Sequence, residues 1–208
     1  SCNTDLHKLF YTPFYDSTKR KFDDLYNANK SSVQKWNYTN QYIYGTGDYY
    51  EKTTSGNATV TIQDLEGESG KPIYVKIDDD LNANANKITI NIPETNNRPI
   101  VIIYTGTTKN GKGNGNGNNK PLILNINSSL NRYGPTTFTG VLYAPNADVI
   151  IQMGYGCEFR GSIYAGDLTV DSNMSRFTYT NVLGGSSSGT STEKSKTKLI
   201  ENSSLVWS

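Results

Sequence analysis

FTGVLYAPNADV (138–149) and FRGSIYAGDLTV (159–170) superimpose without a gap. Phe138 falls on Phe159, Gly140 on Gly161, Tyr143 on Tyr164, Ala144 on Ala165 and Val149 on Val170, each 21 residues on. A period near 20 residues suits one coil of a parallel β-helix, where each strand stacks on its equivalent one rung below, about 4.8 Å away. Inward positions then form ladders of like residues, Phe on Phe and Tyr on Tyr. Matched glycines mark a bend where a side chain would not fit, and matched alanines a tight corner. The repeat therefore predicts an all-β chain built on a right-handed parallel β-helix. A β-sandwich with two similar hairpins is the alternative that two copies leave open.

The neighbouring sequence is written in the same style. ATVTIQD (58–64), PIYVKID (72–78), KITINI (87–92), PIVIIY (99–104) and PLILNI (121–126) are short, β-branched and separated by Asn, Asp, Gly and Pro. ADVIIQ (147–152) and DLTVDS (167–172) continue the series. Little between them reads as helix, which disfavours alternating βαβ units. The segment TKNGKGNGNGNNK (107–119) has no apolar residue and reads as a loop extruded from one rung. It lacks the GK[ST] ending of a phosphate-binding loop.

Both ends differ from this middle. Phe22, Leu25, Tyr26, Val33 and Trp36 fall near one face of a helix over 16–36, with Asp16 or Ser17 as its cap. Its apolar stripe is expected to pack on the sheet. An aromatic stretch follows, with Tyr42, Ile43, Tyr44, Tyr49 and Tyr50, expected as a packed strand or loop, with a sugar-stacking surface as the other reading. At the far end a polar linker (184–198) leads to LIENSSLVWS, whose apolar residues suit a returning strand that covers an open rung. The organisation expected is 1–57 as N-terminal helix and aromatic segment, 58–183 as β-helix, and 184–208 as linker and C-terminal strand.

Composition narrows the function. The 208 residues include 24 Asn, 23 Thr, 19 Ser and 19 Gly, with 20 Lys+Arg against 19 Asp+Glu. A net charge of +1 leaves no basic footprint, so nucleic acid is not expected as a partner. No apolar run is long enough to span a membrane, so any membrane link is expected through a segment preceding Ser1.

Catalytic side chains are few. The one histidine, His7, is far in sequence from every Gly-flanked Ser or Cys, which argues against a nucleophile–base pair. One His and two Cys without CxxC spacing make a poor zinc site. Asp78, Asp79 and Asp80 are a weak calcium candidate, read first as a solvated turn. Cys2 and Cys157 are a possible disulfide that would tie the N-terminus to the late rungs. No catalytic residue and no cofactor are expected.

The stretch FTGVLYAPNADVIIQMGYGCEFRGSIYAGDLTVDSNMSRFTYT resembles the β-helical ectodomains of PilX-like, type IV pilus-associated surface proteins of bacteria. Gly140, Tyr143, Ala144, Pro145, Asn146, Ala147, Val149, Phe159, Gly161 and Ala165 carry the likeness, and the terminal LVWS adds to it. The resemblance implies a non-enzymatic, extracellular head of a minor pilin or pilus-tip subunit in a fimbrium. Its partners would be other pilin subunits, surface proteins, or a host or glycan surface. A cell-surface carbohydrate-binding adhesin is the alternative, and a polysaccharide-cleaving β-helix enzyme stands third. The long apolar helix of a pilin does not begin at residue 1, so an excised segment is expected upstream.

Overall fold

The computed structural model describes residues 24, 27–28, 34–36, 40–54, 58–79, 87–106, 121–127, 134–172 and 174–179. Among the described residues eleven strands form one sheet: β1 (Gln34–Trp36), β2 (Asn40–Gly45), β3 (Tyr49–Thr54), β4 (Ala58–Leu65), β5 (Ile73–Asp79), β6 (Ile88–Ile92), β7 (Ile100–Tyr104), β8 (Leu122–Ile126), β9 (Thr137–Met153), β10 (Glu158–Ser172) and β11 (Arg176–Tyr179). Pairing follows β1-β3-β5-β7-β9 on one side and β2-β4-β6-β8-β9 on the other, with β10 on β9 and β11 on β10. Every pairing between described strands is parallel. That is the parallel β-helix expected, and it excludes the sandwich. The sheet runs without a break across residue 57, since β2 pairs β4 and β3 pairs β5.

Two faces therefore enclose one narrow core. The even-numbered strands send alternate residues inward as ladders, such as Val60, Ile90, Leu124 and Ile151, all at most 1 % exposed. Tyr50, Val75, Ile102 and Leu142 oppose them from the odd-numbered strands. Period-two alternation explains the choice of residues: β-branched side chains fill the pleat inward while the intervening positions face out. Each buried aliphatic side chain contributes about 1.5–3 kcal/mol of transfer free energy.

β9 and β10 turn the corner within single strands, so the first half of β9 lies on β7 and its second half on β8. Phe138 stacks on Phe159, with ring centroids 5.1 Å apart, and Phe159 on Phe177 at 4.7 Å. The offset of 21 residues holds from Phe138 on Phe159 to Ala144 on Ala165. It then shortens, because a bulge between Ala165 and Asp167 sets Asp167 beside Asp148. Val149 thus pairs with Leu168, not with Val170 as the gapless alignment predicts, and Val170 pairs with Ile151. The single residue Gly166 replaces Pro145, Asn146 and Ala147 at the corner. A Cβ on Gly166 would lie 3.1 Å from the Ala147 carbonyl oxygen, so a side chain there would push the short corner apart by a few tenths of an ångström.

Another corner is held by charge. Arg98 is 1 % exposed, and its Nε donates to the Lys71 carbonyl at 2.8 Å. Its Nη1 donates to the carbonyls of Glu66 (2.8 Å) and Gly47 (3.3 Å), and its Nη2 to Asp48 Oδ1 (2.5 Å) and the Pro72 carbonyl (3.4 Å). The flat fork of a guanidinium can satisfy several carbonyls that turn inward at once, which an ammonium cannot.

Of the helix expected over 16–36, Asp24, Asn27 and Ala28 are helical and exposed, and the rest up to 33 lies outside the described residues. Its last three residues are a correction: Gln34–Trp36 form strand β1, where pairing with β3 satisfies edge amides that a helix there would leave open. The loop 107–119, the linker 184–198 and the C-terminal strand also lie outside the described residues.

Candidate functional site

The outward surfaces of the two faces differ in chemistry. On the odd-numbered strands Val101, Ile103, Val141 and Tyr143 form an apolar cluster with Tyr74 and Tyr164, and its first four members are only 0–7 % exposed. Tyr143 and Tyr164 are rung neighbours, with ring centroids 5.9 Å apart. Beyond this cluster Lys76 lies 3.8 Å from Glu51 and 3.5 Å from Asp78.

The outer surface of the even-numbered strands is more polar, and its residues are half-buried to exposed except Ile123, which is 5 % exposed. One rank runs across the rungs as Tyr42, Thr61, Asn91, Asn125, Gln152 and Asp171. Tyr42 is 55 % exposed and Tyr44, two residues on, is 58 % exposed. Asn125 Nδ2 donates to Asn91 Oδ1 at 3.2 Å, which holds the two amides in line. A parallel rank carries Thr59, Thr89, Ile123, Ile150 and Thr169. Side chains recur about 4.8 Å apart across rungs and nearly 7 Å apart along a strand. No Lys or Arg stands in either rank, and Asp171 at the last rung is the only acid. The result is a near-neutral grid of hydroxyls and amides, interrupted by Ile123 and Ile150, with two aromatic rings at its first rung.

The aromatic stretch of the sequence is divided between these surfaces. Ile43 and Tyr50 point into the core, and Tyr50 Oη accepts from the Gly47 amide (3.0 Å) and donates to the Tyr44 carbonyl (2.9 Å). Tyr42 and Tyr44, alternating with Ile43, are turned out.

The other candidate residues are dispersed. Asp78 accepts from Thr105 Oγ1 at 2.6 Å beside Lys76, Asp79 ends β5, and Asp80 is outside the described residues. Among the described residues no three His, Cys, Asp or Glu side chains converge. Cys157 is a free thiol, 1 % exposed in the core, while Cys2 and His7 lie outside the described residues. The aligned strand positions Thr59, Thr61, Thr89, Asn91 and Asn125 escape a reading built on the 21-residue repeat. For the first four the signal is the T-x-T and T-x-N alternation within ATVTIQD and KITINI; Asn125, in PLILNI, carries none.

A family model described as "Putative Ice-binding-like adhesive domain" matches residues 10–177, most of the chain and all of its described strands but the last two residues of β11. The chain belongs to this adhesive-domain family. Membership assigns the domain an adhesive role at the cell surface or in the extracellular space. No curated protein and no solved structure matches it. The match runs along nearly the whole solenoid and does not single out one face.

Proposed function

We propose that this adhesive domain binds neutral glycan through the outer surface of its even-numbered strands and catalyses no reaction. The observation that carries the reading is Tyr42, more than half exposed at the head of the Thr61–Asn91–Asn125–Gln152 rank. A sugar ring presents C–H groups to an aromatic face and hydroxyls to its edge. Tyrosine supplies the first contact, and amides, which both donate and accept, supply the second. Repetition at every rung matches a polymer of repeated units better than a single small ligand. Matching a crystal lattice would call for like groups at each rung, and Ile123 and Ile150 interrupt the threonines. The near absence of charge points to a neutral polymer.

A glycan array probed with the intact chain tests the proposal. Binding to neutral polysaccharides, without release of reducing ends, is the expected result. Binding confined to anionic glycans, or none, overturns it.

A narrower placement, as head of a type IV minor pilin with other pilin subunits as partners, is supported by the likeness of residues 138–180 to PilX-like ectodomains. It predicts a charged leader and about 20 apolar residues upstream of Ser1 in the parent protein. A cleaved secretion signal there would remove the pilin placement and leave the glycan proposal standing.

A further inference from the structure

The outward groups of the even-numbered strands form a strip that is long in one direction only. β6 and β8 are five residues each, so each sends just two side chains outward between its corners: Thr89 and Asn91, then Ile123 and Asn125. Along a strand the strip is therefore about 7 Å wide from side chain to side chain. Across the rungs it runs from Tyr42 to Asp171 through five register steps. At about 4.8 Å each, those steps span roughly 24 Å. Its polar groups are barely engaged by the protein. Among the described residues the side chains of Thr61 and Gln152 bond to no other group, and the Asn125–Asn91 contact is the only one in the rank. Thr54, Thr105, Thr136 and Thr178, elsewhere in the solenoid, instead donate their hydroxyls to carbonyls or carboxylates. The bond between the two amides runs from rung to rung. It leaves both amide protons of Asn91 and the amide oxygen of Asn125 to meet a ligand.

We infer that the ligand is a linear, unbranched neutral polysaccharide lying across the rungs, parallel to the solenoid axis, with Asn125 and Gln152 setting the length of chain it takes. This placement rests on the glycan reading above and extends it to the shape of the polymer. A chain laid along one strand would meet two outward groups and then a corner. Laid across the rungs, it passes a hydroxyl or an amide at each step from Thr61 to Gln152. With its first ring on Tyr42, a chain reaches Asn91 after two rung steps, Asn125 after three and Gln152 after four. Each longer chain thus gains contacts that a shorter one lacks. The flanking rank sets Ile123 and Ile150 beside Asn125 and Gln152, and these offer no hydrogen-bonding group to a branch. At the far end the Asp171 carboxylate accepts from a hydroxyl and repels a second anion, in keeping with a neutral chain.

Titration calorimetry of the full chain tests it, with linear oligosaccharides of increasing length cut from the neutral polysaccharide that binds best on the array. Affinity is expected to rise with each added sugar until the chain spans the strip, and then to level off. Gln152→Ala should weaken the longest chains roughly fivefold, the worth of one hydrogen bond, and so flatten the upper part of that rise. Asn125→Ala, one rung nearer Tyr42, should flatten it at a shorter chain length. Equal affinity for a disaccharide and for long chains, an equal loss from Gln152→Ala at every length, or tighter binding of a branched polymer than of its linear backbone would overturn the placement. Where binding in those cases still requires Tyr42, the glycan reading stands and only the placement falls. Where no neutral glycan binds at all, both fall.

Discussion

Gly161 lies directly on Gly140, so close that a Cβ built on Gly161 would fall 1.7 Å from the Gly140 carbonyl oxygen. A Cβ on Gly140 would in turn fall 2.0 Å from the carbonyl oxygen of Ile100, one rung further. The clash is with backbone, which cannot rotate away. Gly140→Ala and Gly161→Ala should each cost on the order of 3 kcal/mol or more in denaturant unfolding. Gly45, at φ +93° with nothing within 4 Å of its Cβ position, is the contrast. Gly45→Ala should cost only the left-handed backbone penalty, about 1–2 kcal/mol.

Arg98 is the second point on which the fold depends. Replacing it with Met strands the carbonyls of Glu66 and Lys71 and leaves Asp48 without its buried partner. A loss of about 1–3 kcal/mol for each stranded carbonyl is expected. Arg98→Lys should recover little of it, because one ammonium cannot reach the five oxygens that the guanidinium serves. Thermal melts of the two variants check this.

The same cluster predicts an acid response. The Lys71 ammonium, 2.8 Å away, and then the Arg98 guanidinium hold the Asp48 carboxyl below its ordinary value of 3.8. A carboxylate with a depressed folded-state pKa stabilises the fold above its unfolded value and loses that contribution as pH falls through the folded one. Wild type should therefore exceed Asp48→Asn in stability at pH 7, and the two should converge below about pH 4. Asp48 is 39 % exposed, so solvent screening keeps the difference small.

Lys52 points inward from β3 beside Ile77 and is 2 % exposed. Burial lowers its pKa from 10.5 to about 8. The folded state thus releases this proton before the unfolded chain does, and stability should rise with pH between about 8 and 10.5. Lys52→Met should remove that rise. At about 1.4 kcal/mol per pH unit the gain is bounded near 3 kcal/mol. Unfolding curves at pH 7 and pH 10 would show it.

The solenoid was legible in the sequence because two adjacent rungs share one register over the seven residues from Phe138 to Ala144. The corner hid the next step: losing two residues at Gly166 keeps apolar residues opposite apolar ones, so the gapless alignment still looks sound. Earlier rungs carry no common period. Ile73 stacks on Ile100 and Ile100 on Gly140, steps of 27 and 40 residues, because insertions enter at the corners. Only three-dimensional stacking lines up Thr61, Asn91, Asn125 and Gln152, which lie far apart along the chain. Tyr42 and Tyr44 were visible as aromatics, but their outward turn follows from Ile43 between them being drawn into the core.

The central claim is that the grid headed by Tyr42 is the adhesive surface. Its most direct test is the affinity of wild type, Tyr42→Ala and Tyr155→Ala for the neutral polysaccharide that binds best on the array. Tyr155, 69 % exposed, sits off the grid in the turn between β9 and β10 and serves as the control. Loss of one stacked ring at about 1.4 kcal/mol corresponds to a tenfold change. The account predicts roughly tenfold weaker binding for Tyr42→Ala and unchanged binding for Tyr155→Ala. Unchanged binding for Tyr42→Ala, or an equal loss from Tyr155→Ala, would contradict it.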